Sequence, residues 1–95
     1  MTGKQRSYLK KLAHGIKPVI QVGKEGVSPE LITQVRETIH KRELIKISFL
    51  ETCPDDLELA SQKIVERSKS EFVQLIGRKL VIYKQNPENP TIQLP

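Results

Sequence analysis

The chain has no tryptophan, a single cysteine and only four aromatic residues of the Phe and Tyr kind among its 95. Cys53 alone excludes an intrachain disulfide and any cysteine-rich metal site. The longest stretch without a charge, Asn89–Pro95, is seven residues, far short of the ~20 apolar residues a membrane-spanning helix needs. No apolar run follows the basic N-terminus, so no secretory signal is read there. A soluble cytoplasmic protein with no membrane partner is therefore expected. Neither a Gly-x-x-x-x-Gly-Lys-Ser/Thr phosphate loop nor a Gly-x-Gly-x-x-Gly fingerprint occurs. His14 and His40 fall in different helical segments, with no cysteine or carboxylate pair at metal-ligand spacing. His14 reads as a dipole partner at a helix C-terminus, His40 as a helix-flank residue, and Cys53 as a bystander thiol before Pro54. Asp55 and Asp56 read as helix caps. No catalytic constellation assembles, so no enzyme, metal, cofactor or small-molecule substrate is expected.

What is present is enough for one domain spanning residues 1–95, expected to be monomeric: 37% of residues are hydrophobic and 28% charged, a globular composition. The net charge is +5, and it is unevenly placed. Residues 1–26 hold Lys4, Arg6, Lys10, Lys11, Lys17 and Lys24 against Glu25 alone, whereas residues 27–95 hold ten basic and ten acidic side chains. The whole surplus lies in the first quarter. That asymmetry fits a basic patch for an acidic partner; a lysine-decorated, solvated helix fits it equally.

Hydrophobic spacing predicts a first helix over about Lys4–Ala13, with Leu9, Leu12 and Ala13 on one buried arc and Gly15 as the stop signal. Val19–Val22 reads as a strand. Ser28-Pro29 then supplies an N-cap and a first-turn proline for a helix whose stripe is Leu31, Ile32, Val35 and Ile39 and which lasts to about Arg42. Leu44–Leu50 alternates as a second strand, and Asp55 with Glu58 reads as a capping box opening a third helix. Leu57, Ala60, Ile64 and Val65 form the inner face of that helix, and Leu59 falls off it. Phe72–Ile76 and Leu80–Tyr83 are two further strands joined through Gly77-Arg78-Lys79. Asn86–Pro95, with three prolines, reads as an extended tail. The order αβαβαββ predicts a two-layer α+β domain with one mixed four-stranded sheet. The apolar character of both alternating sets in the last two strands points either to cover on each face or to an exposed apolar patch. Phe49 and Phe72 are assigned to the core, while Tyr8 and Tyr83 stay undecided between core and stacking platform.

Gly23-Lys24-Glu25-Gly26 lies between a strand and a helix. Two glycines so spaced permit a sharp turn and a close backbone approach, and the following helix start would favour an anion. A Gly-x-x-Gly loop clamps a nucleic-acid backbone in one class of RNA-binding module; it is also a plain turn in many proteins.

The stretch Val19–Leu50, VIQVGKEGVSPELITQVRETIHKRELIKISFL, resembles the core of the CRM domain (chloroplast RNA splicing and ribosome maturation). FVQLIGRKLVIYK, Phe72–Lys84, is similar to that domain's closing hairpin. A chain that is one such domain and little else most resembles the free-standing bacterial YhbY-type members. The resemblance implies a fold akin to the C-terminal domain of translation initiation factor three. It further implies RNA binding through the loop and a basic face, and association with ribosomal RNA in precursors of the large ribosomal subunit. Carried onto this sequence, it marks Gly23, Lys24 and Gly26 in the loop and Lys4, Lys10, Lys11 and Lys17 on the basic face, with Arg36, Arg78 and Lys79 beside them. Glu25 departs from the polar neutral residue common at the loop's third position. A second reading is a protein-interaction module that docks on a ribosomal protein or assembly factor through an apolar sheet face.

Overall fold

The structure is a computed structural model that describes residues 1–95. Its elements are α1 (Gly3–Ala13), β1 (Ile20–Val22), α2 (Pro29–Arg42), β2 (Leu44–Phe49), α3 (Leu57–Ser68), β3 (Glu71–Ile76) and β4 (Lys79–Tyr83). The αβαβαββ order and the mixed four-stranded sheet are as expected. The strands lie in the order β1-β2-β4-β3. β1 and β2 are parallel, as a crossover through α2 allows, and the remaining pairs are antiparallel. Gly77, at φ 58, supplies the left-handed residue that the tight β3–β4 turn requires.

Both faces of the sheet are covered. On one, α2 and α3 bury Leu31, Ile32, Val35, Ile39, Ala60 and Ile64 against Ile45, Ile47, Phe49, Leu80 and Ile82. On the other, Leu9 and Ala13 of α1 pack on Leu44, Val73, Val81 and Tyr83, with Ile16, Ile92 and Leu94 at the margin. The two-layer expectation thus describes α2, α3 and the sheet, and α1 with the C-terminal segment adds a third layer. This is why β2 is buried along both alternating sets.

Three local expectations are corrected. Leu12 is exposed, because the buried arc of α1 turns toward Arg6, whose Nε–H donates to the Phe72 carbonyl at 3.3 Å. Phe72 is 40% exposed where a core residue was expected. A bulge between Phe72 and Gln74 shifts the register, and Phe72 ends on the edge strand opposite Ile82. Phe49 is buried as expected, and the burial of Tyr83 excludes it as a stacking platform. The cap of α3 is Asp56, whose carboxylate accepts from the Leu59 N–H at 3.2 Å; Asp55 is engaged elsewhere. Asn86–Pro95 has no helix or strand, as expected, yet it is docked rather than free.

Glu43 holds it there. This residue follows α2 at φ 64 and is 1% exposed. Its carboxylate accepts from the Asn86 N–H (2.7 Å), the Thr91 N–H (2.7 Å), the Thr91 hydroxyl (2.6 Å) and the Ile92 N–H (3.0 Å). Burial alone would raise its pKa; these hydrogen bonds outweigh burial and hold it below the usual carboxylate value. Tyr83 is shifted the other way, up from the usual phenol value, by burial and by the negative charge of Glu43.

Candidate nucleic-acid interface

At one end of the sheet, the loop after β1, the turn after β2 and the β3–β4 hairpin meet. Leu50 joins them. Its N–H donates to the Val22 carbonyl at 2.9 Å, and its own carbonyl accepts from the Arg78 guanidinium at 3.1 Å. Lys79 Nζ donates to Ser48 Oγ at 3.1 Å. The structure therefore gathers Gly23, Lys24, Gly26, Arg78 and Lys79, which lie far apart in the chain.

The strand register adds a feature that the sequence reading missed. Gln21, Ser48, Lys79 and Ile76 are consecutive cross-strand neighbours, and the adjoining row runs from Lys46 through Val81 to Gln74. Ser48 and Lys46 alternate with core residues of the α2–α3 side, so both rows lie on the α1 side of the sheet. α1 covers Leu44, Val73, Val81 and Tyr83 but leaves Gln21, Ile76 and Lys79 exposed. The uncovered strip thus carries Lys79, with half-buried Lys46 at its margin and Arg78 and the Lys24 loop flanking it. Lys46 was legible only as an alternating polar residue; its phase with Lys79 emerges once the register is known.

Lys4, Lys10 and Lys11 are exposed on α1, on the same side of the sheet, and exposed Lys17 lies in the segment that leads from α1 into β1. Arg36 is different. It is exposed on α2, across the sheet from this strip, and the structure does not bring it together with the others.

The two loop glycines have unequal roles. Gly26 has φ +64, and a Cβ there would meet Asp55 Oδ2 at 2.5 Å. That carboxylate accepts from the Val27 N–H at 3.2 Å, while Ser28 Oγ accepts from the Leu31 N–H at 3.1 Å. Asp55 and Ser28 therefore already engage two of the N–H groups around the start of α2, those of Val27 and Leu31. What the loop offers is the exposed Lys24 and Glu25 and the backbone around Gly23. At Gly23 no positive φ occurs, and a Cβ would meet only ordinary contacts at 3.6 and 3.7 Å, from Leu50 and Thr52.

These differences yield a prediction. Gly26→Ala should lower stability by about 1–3 kcal/mol through backbone strain and the approach of Asp55. Gly23→Ala should leave stability within about 0.5 kcal/mol of the parent. If close approach to RNA is what requires Gly23, this second variant loses RNA affinity without losing stability. Urea unfolding and filter binding measure the two effects, and equal stability losses would contradict the assignment.

No group of three or more histidine, cysteine, aspartate or glutamate side chains is placed to hold a metal ion, and no helix is long and apolar enough to cross a membrane.

Comparison with known proteins bears on the family of the chain. The family model of the CRS1/YhbY (CRM) domain matches residues 1–84. A Bacillus subtilis (strain 168) protein named "Probable RNA-binding protein YqeI" is 43% identical over 95 residues, covering 100% of this chain and 99% of its own. A Haemophilus influenzae protein named "RNA-binding protein" is 33% identical over 95 residues, with 100% and 95% covered. The solution structure of SAV1595 from Staphylococcus aureus superposes with a TM-score of 0.84 at 43% identity, covering 100% of this chain and 99% of that one. With the matched segment running from α1 through β4, and relatives of the same length aligning end to end, the chain belongs to the CRS1/YhbY (CRM) domain family.

Proposed function

We propose that this chain is a non-catalytic, monomeric RNA-binding protein of the cytoplasm that engages ribosomal RNA in precursors of the large ribosomal subunit and assists their assembly. The observation that carries the reading is the convergence of Lys24, Lys46, Arg78 and Lys79 around one uncovered strip of sheet, on the side that also bears the cations of α1. Phosphate neutralisation by these side chains supplies most of the affinity. The loop and hairpin set the register on the RNA backbone. Selectivity comes from RNA shape, since the strip has no aromatic side chain on which a base could stack. The names of the relatives support RNA as the partner, and the YhbY-type resemblance supports the ribosomal precursor.

Two measurements test this. Neutralising about four to six phosphates on a largely single-stranded target gives a log affinity that falls against log salt with a slope of roughly −3 to −4. Filter binding of ribosomal RNA fragments across a salt series reads that slope directly, and a slope near zero removes the electrostatic mechanism. Co-sedimentation with subunit precursors, lost on ribonuclease treatment, is the result expected for the assembly role. Retention after ribonuclease would shift the reading to a protein partner.

A further inference from the structure

On the other side of the sheet from the proposed RNA strip, α3 and the edge strand β3 leave a groove of about 430 Å³. Val65, Phe72 and Leu75 give it apolar walls, and exposed Glu58 and Glu66 line it with negative charge. Phe72 and Leu75 are three residues apart yet share this face, because the bulge leaves both Val73 and Gln74 on the α1 side. No lysine or arginine lines the groove, although the chain as a whole is +5. Buried Ser61 is also among the lining residues. Leu59, the residue off the inner face of α3, is 58% exposed. At about 100° per residue it has nearly the azimuth of Glu66, two turns nearer the start of α3, outside the groove's lining.

The charge decides the occupant. Two carboxylates repel a phosphate backbone and attract lysine or arginine, while the exposed phenyl ring calls for apolar side chains. Simple strand addition along β3 is opposed by the bulge and by Arg6, which already occupies the Phe72 carbonyl. We propose that the groove docks an amphipathic basic segment of a partner protein. Its apolar side chains seat on Val65, Phe72 and Leu75, and its cations meet Glu58 and Glu66. RNA and protein then occupy opposite sides of the sheet, and the domain bridges them.

The test uses the full chain, isotope-labelled for NMR, and three probes: a synthetic leucine–lysine amphipathic peptide, a leucine–glutamate counterpart, and a ribosomal RNA fragment. The leucine–lysine peptide is expected to shift the amides of Val65, Phe72 and Leu75. The leucine–glutamate peptide and the RNA should leave them in place. Replacing Glu58 and Glu66 together by lysine should weaken the leucine–lysine peptide by about tenfold or more, while RNA binding is not weakened and rises only by the general effect of net charge. Phe72→Gln is a charge-neutral second variant, expected to weaken the same peptide, and it decides the matter should the double variant fail to fold. The proposal is overturned if both peptides bind alike, if the shifts lie elsewhere, or if RNA moves the groove amides. It is also overturned if a folded variant binds the leucine–lysine peptide as the parent does.

Discussion

Glu43→Ala is expected to reduce the unfolding free energy by about 3–5 kcal/mol, the scale of removing one side of a buried, hydrogen-bonded charge network. Against a total of roughly 5–14 kcal/mol for a chain of this length, that is the largest single loss the structure points to. The variant leaves the N–H groups of Asn86, Thr91 and Ile92 and the Thr91 hydroxyl without their acceptor. The C-terminal segment then loses its anchor, and Ile92 and Leu94 leave the margin of the Leu9–Ala13 cluster. Glu43→Gly removes the same carboxylate but relieves the positive φ, so it should be less damaging than alanine by about 1 kcal/mol. The pH dependence follows from the lowered pKa of Glu43 in the fold. Its contribution is complete above the usual carboxylate range and is lost as pH falls through the folded-state value. Glu43→Gln should flatten the acid limb of the stability profile. Urea titrations across pH measure all three variants. An alanine variant within about 1 kcal/mol of the parent would contradict the anchoring role.

Replacing Lys10 and Lys11 with glutamate is expected to weaken RNA binding by well over tenfold, because the pair changes net charge by four on the side of the sheet that bears the uncovered strip. Both side chains are exposed, away from Leu9 and Ala13, so the thermal midpoint should stay close to that of the parent. The matched reversal of Lys63 and Arg67, exposed on α3 across the sheet, has the same charge change in another place. It should reduce affinity only by the general effect of net charge. Equal losses from the two pairs in filter binding would mean that the cations of α1 have no special place in the interface.

The sequence carries the element order because its signals are local. Ser28-Pro29 opens α2, the Leu31, Ile32, Val35 and Ile39 stripe faces the core, and Gly77 turns the hairpin. Long-range pairing is not written that way. Phe72 looks like any aromatic in a strand until the bulge turns it to the edge. Asp55 reads as a cap until the fold brings the turn after β2 against Gly26. Glu43 reads as one more helix-terminal charge, since its partners lie more than forty residues away at Asn86, Thr91 and Ile92. For the interface, the glycine loop and the N-terminal charge surplus are visible in the chain itself. The place of Lys46 beside Lys79 depends on strand register, which alternation alone does not fix.

The most direct test of RNA binding at the loop end is a paired affinity measurement on one ribosomal RNA fragment. Lys24→Asp combined with Glu25→Asp alters the loop and keeps both glycines. Lys84→Asp makes the same net charge change beyond β4, at the opposite end of the sheet. The account predicts a sharp loss for the loop variant, a small loss for Lys84→Asp, and thermal midpoints close to the parent for both. Equal losses from the two variants would make the Gly23–Gly26 segment a turn and nothing more, and would contradict the assignment of the interface to this end of the sheet.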